Sequence, residues 1–172
     1  MRDLDGLLTE PVEFVCLGGF VMSLLYGLSR PTADVDVLEV RPGSVKQLLV
    51  QAAGEGSELH RKHKVHLQQV GVLLAYPEDY EERLTEMFPG ALRQLRLLAL
   101  DPYDLALTKL ERNSQADRED VMHLAEFIPL DVSVLRKRYE EEMRPYYGDP
   151  THEDQTLRLW IEAIEERRQK RS

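Results

Sequence analysis

Apolar and polar positions divide the chain into a mixed first half and a helical second half, with the change near residue 101. Phe14-Val15-Cys16-Leu17 is a short apolar run ending in Gly18-Gly19, and the stretch from Phe20 to Leu28 is apolar enough for a buried helix. This pattern predicts strand, tight turn, helix. After the turn-like Ser29-Arg30-Pro31-Thr32, the residues Val35, Val37, Leu38 and Val40 form a β-branched run interrupted by acids. That is a second strand. A helix is predicted over Gly43 to Ala53. Val65-His66-Leu67 through Val70 to Ala75 reads as one or two further strands joined through Gly71.

From Asp101 the helical signal sharpens, because Asp101-Pro102 pairs an N-cap with proline at the first helical position. Tyr103, Ala106, Leu107 and Leu110 fall on one helical face, and Val121, Leu124, Ala125 and Ile128 repeat that spacing. Asp131 caps a third helix running to about Met143, and Pro145 with Gly148-Asp149-Pro150 ends it. Leu157, Trp160, Ile161 and Ile164 give a fourth helix its apolar face. Its end, Glu165 to Ser172, is polar, with Arg167, Arg168, Lys170 and Arg171 near the negative pole of the helix dipole. The expected class is α+β: a mixed sheet with flanking helices over residues 1–100, then a helical bundle over 101–172 packed on that core.

Composition narrows the function. In 172 residues, 42% are hydrophobic and 31% charged, which fits a folded domain and excludes a disordered chain. The excess of 31 acidic over 22 basic residues, net charge -9, argues against a broad basic face that wraps nucleic acid. The single cysteine, Cys16, has no internal disulfide partner, and the acidic start Met1 to Asp5 lacks a signal pattern. A reduced, cytoplasmic protein is expected. No apolar run approaches the ~18 residues that span a bilayer, so no membrane partner is expected.

The chemistry is concentrated between residues 18 and 37. Along a strand, Asp34 and Asp36 lie two apart and point to the same face. Two such carboxylates repel each other unless a cation sits between them. Hard oxygen ligands suit Mg²⁺, which takes one or two protein carboxylates and completes its shell with water and phosphate oxygens. Gly18-Gly19 ahead of a helix offers backbone N–H groups and a positive helix end where a phosphate can rest. Each feature alone is commonplace, a solvated strand face or an ordinary turn. Ordered as strand, Gly-Gly, helix, Arg-x-Thr-x-Asp-x-Asp, they point to adjoining metal and phosphate sites.

The same order resembles the nucleotidyltransferase superfamily with the polymerase-β-like catalytic core. Within it the chain is similar to small bacterial nucleotidyltransferases of the uncharacterised-domain family 6036, related to abortive-infection toxin nucleotidyltransferases. Asp101-Pro102-Tyr103-Asp104-Leu105-Ala106-Leu107-Thr108-Lys109-Leu110, followed by Arg118-Glu119-Asp120, resembles a second motif of that group. The resemblance covers most of residues 13 to 130. It implies that Gly18 and Gly19 hold nucleotide phosphates, that Asp34 and Asp36 ligate Mg²⁺ or Mn²⁺, and that Arg30 and Thr32 support the phosphates or the loop. It further implies that Lys109 is directed at the triphosphate of an NTP substrate. Asp117 and Asp120 match the acids that follow, and three apart on one helical face they are placed to hold Lys109 or Arg112. On the helix reading, Lys109 borders a cleft with its stem packed and its ammonium free.

One expected group is missing. Members of the superfamily generally carry a third carboxylate on a later strand, completing a two-metal site. Here the best-matching frame is Val65-His66-Leu67, which offers imidazole, and the next is Leu67-Gln68-Gln69-Val70, which offers only amides. Glu58, Glu78 and Asp79 fall in predicted loops. His66 is therefore a candidate ligand or base, against the plainer reading of a structural histidine. His60, His63 and His66 recur every third residue, a zinc spacing only if the segment is helical, and Val65 to Ala75 reads as extended. The basic clusters Arg61-Lys62-His63-Lys64 and Arg136-Lys137-Arg138 suit a triphosphate or an RNA end, although solvated surface is the simpler reading.

Two functions follow. The first is metal-dependent transfer of a nucleoside monophosphate from an NTP to a hydroxyl of an RNA 3′ end or a protein side chain, with a place in toxin–antitoxin or phage defence implied by the resemblance. The second is a catalytically weak nucleotide-binding module, an antitoxin-like partner of another protein. A dinucleotide-binding Rossmann domain fits poorly, because Gly18-Gly19 lacks the spacing of that fingerprint.

Overall fold

The protein is described here by a computed structural model that covers residues 1–70 and 75–170. It is an α+β chain that divides into two compact units, Met1–Leu74 with Leu84–Leu100, and Ala75–Arg83 with Asp101–Ser172. No helix among the described residues is long and apolar enough to cross a membrane.

The first unit is built on a five-stranded mixed sheet. Its order is β3-β2-β1-β5-β4, from β1 (Val12–Cys16), β2 (Asp34–Arg41), β3 (His66–Gln69), β4 (Thr85–Met87) and β5 (Leu95–Ala99). β1 pairs antiparallel with β2 and parallel with β5, β2 pairs parallel with β3, and β4 pairs antiparallel with β5. The apolar run of β1 takes the centre because Val12, Phe14, Val15 and Cys16 are fully buried, as the continuous apolar character of a strand covered on both faces requires.

β4 and β5 lie in a stretch to which the sequence assigns no strand. Leu95-Arg96-Leu97-Leu98-Ala99 is made of good helix formers, and burial beside β1 overrides that local preference. The position of β5 is fixed by Asp5 at the end of α1 (Arg2–Asp5), whose carboxylate accepts the N–H groups of Arg93, Gln94 and Leu95 at 2.7 to 3.1 Å.

The predicted helix over Gly43 to Ala53 is a 3₁₀ turn, Gly43–Val45, leading into α3 (Lys46–Ala53). The segment read as non-helical is in part a helix. α4 spans Glu58–His63, opened by the Ser57 hydroxyl, which accepts the His60 N–H, and closed by Lys64 in the left-handed conformation. His60 and His63 are thus helical, and His66 opens β3. The predicted continuation of that strand through Gly71 lies outside the described residues, as does Arg171.

In the helical unit, α5 (Pro102–Leu107) starts as predicted, with Asp101 accepting the Asp104 N–H. It stops earlier than its apolar spacing implies: beyond Thr108 the backbone tightens, the Lys109 N–H donating to the Ala106 carbonyl and the Leu110 N–H to that of Leu107. Lys109 and Leu110 therefore lie in the turn beyond the helix. α6 (Gln115–Phe127) opens with a reciprocal capping box between Ser114 and Asp117. Asp131 caps α7 (Val132–Arg138), which continues as a wider π turn over Tyr139–Met143. α8 (Thr151–Gln169) buries Leu157, Trp160, Ile161 and Ile164. Arg83 joins this unit by forked hydrogen bonds to Asp104 and Glu142, and Arg138 reaches Asp101 and Asp104.

Candidate functional site

In the sheet unit the glycines and acids converge. β1 ends at Cys16, the Leu17 N–H donates to the Asp36 carbonyl at 3.1 Å, and Gly18 then opens α2 (Gly18–Leu25). Gly18 has φ +67, and a Cβ placed there would stand 2.9 Å from Asp36 Cγ and overlap the carboxylate oxygen. Glycine is required twice over, by backbone conformation and by space. A Cβ on Gly19 would stand 3.3 Å from Thr32 Oγ1. The two glycines thus abut an acid and a hydroxyl of the strand that follows. Leu17, the N-cap residue of α2, provides no side-chain cap of its own.

The loop between α2 and β2 is held at both ends. The Ser23 hydroxyl donates to the carbonyl of exposed Arg30 at 3.2 Å. The Thr32 hydroxyl lies 2.6 Å from Asp34 Oδ1 and 3.0 Å from the Asp34 carbonyl. In β2 the half-buried Asp34 and Asp36 alternate with buried Val35 and Val37, which puts both carboxylates on one face. A bulge at Leu38 follows, where Val15 pairs with Glu39 but Cys16 with Val37. Burial, aided by the negative charge of Asp36, pushes the Cys16 thiol up to about 12. Cys16 is therefore a neutral packing residue beside the acids.

This donor set fits a hard divalent cation: two carboxylates on a rigid strand, one oriented by Thr32, beside the first turn of α2. Among the described residues no group of three or more His, Cys, Asp or Glu side chains is clustered to hold a metal. The parallel partner strand places His66 beside Asp34 and Gln68 beside Asp36. His66 does not extend the acid cluster. Its ring sits 4.9 Å from that of His60 and lines a small cavity with Asp3, Val35, Leu59 and His63, and its buried Nδ1 has no hydrogen-bond partner among the described residues.

In the helical unit Lys109 is 6% exposed. Its ammonium, expected to be free, is bound 2.8 Å from Asp120 and 3.5 Å from Asp117. Arg112 grips Asp117 through two hydrogen bonds of 2.6 and 2.7 Å, and Ser114 donates to the same carboxylate. Burial opposes the charge on Asp117, but Arg112, Ser114 and Lys109 outweigh it and hold the carboxyl well below the usual range.

Residues 2–169 match a family described as a nucleotidyltransferase of unknown function, DUF6036. The chain belongs to this nucleotidyltransferase family. No curated protein and no solved structure matches it. In this nucleotidyltransferase, then, Gly18, Gly19, Thr32, Asp34 and Asp36 are brought together, and Arg30 lies on the same loop. Lys109, Asp117 and Asp120 form a second cluster within the other unit. The acids weighed for the missing position are dispersed: Glu58 is exposed on α4, while Glu78 accepts from the Tyr146 hydroxyl and the Asp79 N–H donates to Glu142.

Part of each basic cluster of this nucleotidyltransferase is engaged internally. Lys62 and His63 both bind Asp3, and Arg138 binds Asp101 and Asp104. Sequence reasoning missed Ser23. Its signal was a hydroxyl inside an otherwise apolar helix, one turn past the glycines.

Proposed function

We propose that this nucleotidyltransferase transfers a nucleoside monophosphate from an NTP to an acceptor hydroxyl, with Mg²⁺ or Mn²⁺ held by Asp34 and Asp36. The observation that supports this reading is the packing of Gly18 against Asp36 and of Gly19 against Thr32, the closeness that adjoining phosphate and cation sites would need. A divalent cation bound there supplies charge neutralisation for the triphosphate and leaving pyrophosphate. Asp34, fixed by Thr32, and Asp36, fixed between β1 and Gly18, hold their oxygens in place before substrate arrives, so little reorganisation accompanies binding. Without side chains, the glycines let a phosphate approach the backbone at the start of α2 closely.

In the reaction the acceptor oxygen bonds to the α-phosphorus, the bond to the bridging oxygen breaks, and pyrophosphate leaves with that electron pair. The acceptor proton passes to solvent. The acceptors that suit this reading are an RNA 3′ hydroxyl and a protein side-chain hydroxyl, with a role in toxin–antitoxin or phage defence. The test is incubation of the purified chain with each α-labelled NTP, Mg²⁺ or Mn²⁺, and total RNA or protein extract. Label should enter one acceptor class with the parent protein and neither with Asp34→Asn. Binding of the nucleotide without label transfer would favour the second reading, a binding partner without turnover.

A further inference from the structure

We propose that Gln68 supplies the third protein donor of the divalent-cation site, a neutral amide oxygen. This rests on the assignment of Asp34 and Asp36 as cation ligands. β2 and β3 run parallel with Asp36 opposite Gln68, and residues in register across a parallel pair project from the same face. Strand spacing of about 4.8 Å brings an exposed four-atom side chain within reach of a cation on Asp36. Amide carbonyls are ordinary ligands of hard cations.

The neighbours on β3 are poorer candidates. His66 faces Asp34 in register, but its ring is turned to His60 and the cavity bounded by Val35 and Leu59. Gln69 is in register with Val37, whose side chain is buried on the opposite face. The amide at position 68 also sets the charge. Two carboxylates balance one divalent ion, and a neutral third donor adds coordination without charge for a second. The resting site therefore takes a single cation, and any further ion arrives with the triphosphate.

The test is titration of the full chain with Mn²⁺ alone, read by electron paramagnetic resonance of free Mn²⁺ and by calorimetry, without turnover. The parent should bind one Mn²⁺. Gln68→Ala should weaken binding roughly fivefold to tenfold, and Gln68→Glu should tighten it by about tenfold or more, as ligand charge tunes affinity at such sites. Gln69→Ala, equally exposed on the same edge strand, should bind as the parent does. If Asp36→Asn loses Mn²⁺ while both Gln68 variants match the parent, Gln68 is not a ligand and the carboxylate assignment stands. If Asp36→Asn retains full binding, the carboxylate assignment fails and takes the role of Gln68 with it.

Discussion

The carboxylate of Asp36 rests against the Cα of Gly18, leaving room for a hydrogen and nothing larger. A single β-carbon at position 18 would force Asp36 aside and strain the backbone, which sits at φ +67. Gly18→Ala should therefore lower stability by about 1–3 kcal/mol and weaken Mn²⁺ binding together. Gly19→Ala meets only the edge of Thr32 Oγ1 and should cost less than half as much in thermal melts. Equal losses from both variants would place the tight constraint elsewhere.

Thr32 orients Asp34 through a 2.6 Å hydrogen bond. Thr32→Val keeps the shape and removes the donor. Loss of one hydrogen bond to a charged acceptor, worth about 1.5–3 kcal/mol at most, should weaken Mn²⁺ binding several-fold and lower the melting temperature by a few degrees. Calorimetry of Thr32→Val beside Thr32→Ser checks this, because serine retains the hydroxyl and should bind nearly as the parent does.

How far the sequence led to this site depends on the range of the interaction concerned. The order Gly18-Gly19, helix, Thr32, Asp34, Asp36 was legible because backbone turns and strand alternation are local and leave a spacing signature. The register that sets Gln68 beside Asp36 was not, since a parallel pair joins strands separated by two helices, and no local pattern encodes which residues face each other. β5 was not assigned for a related reason: its Leu-rich segment has little local strand preference, and burial against β1 and the grip of Asp5 are long-range. Lys109 was read as helical although it lies beyond the end of α5, because the apolar spacing continues past the point where the backbone tightens into a turn.

Buried Lys109 stands between Asp120 and Asp117. Lys109→Ala should destabilise the protein by about 3–5 kcal/mol, since removing one partner strands buried carboxylates. The double variant Lys109→Met with Asp120→Leu should recover a large part of that loss in denaturant melts. If Lys109→Ala melts as the parent does, the buried pair is not stabilising the helical unit.

Asp5 gives a pH signature. Burial opposes its ionisation, but the N–H groups of Arg93, Gln94 and Leu95 prevail and lower its pKa below the ordinary 3.8. A lowered folded-state pKa means that the stability it adds is fully present above the unfolded value and is lost as pH falls through the folded one. Asp5→Asn should therefore melt lower than the parent at pH 6, with the gap closing below about pH 4. A gap that is constant from pH 6 to pH 3 would show that charge is not the source.

Asp34 and Asp36 are proposed to hold together the cation that carries the nucleotide. Calorimetric titration of a non-hydrolysable NTP analogue, with and without Mg²⁺, into the parent and into Asp34→Asn and Asp36→Asn tests it directly. Mg²⁺-dependent binding is expected in the parent, with loss of about tenfold or more in each variant. In metal-free buffer each variant should melt at or above the parent temperature, because mutual repulsion of the carboxylates is removed. Both variants binding the Mg²⁺ complex as tightly as the parent would contradict this assignment.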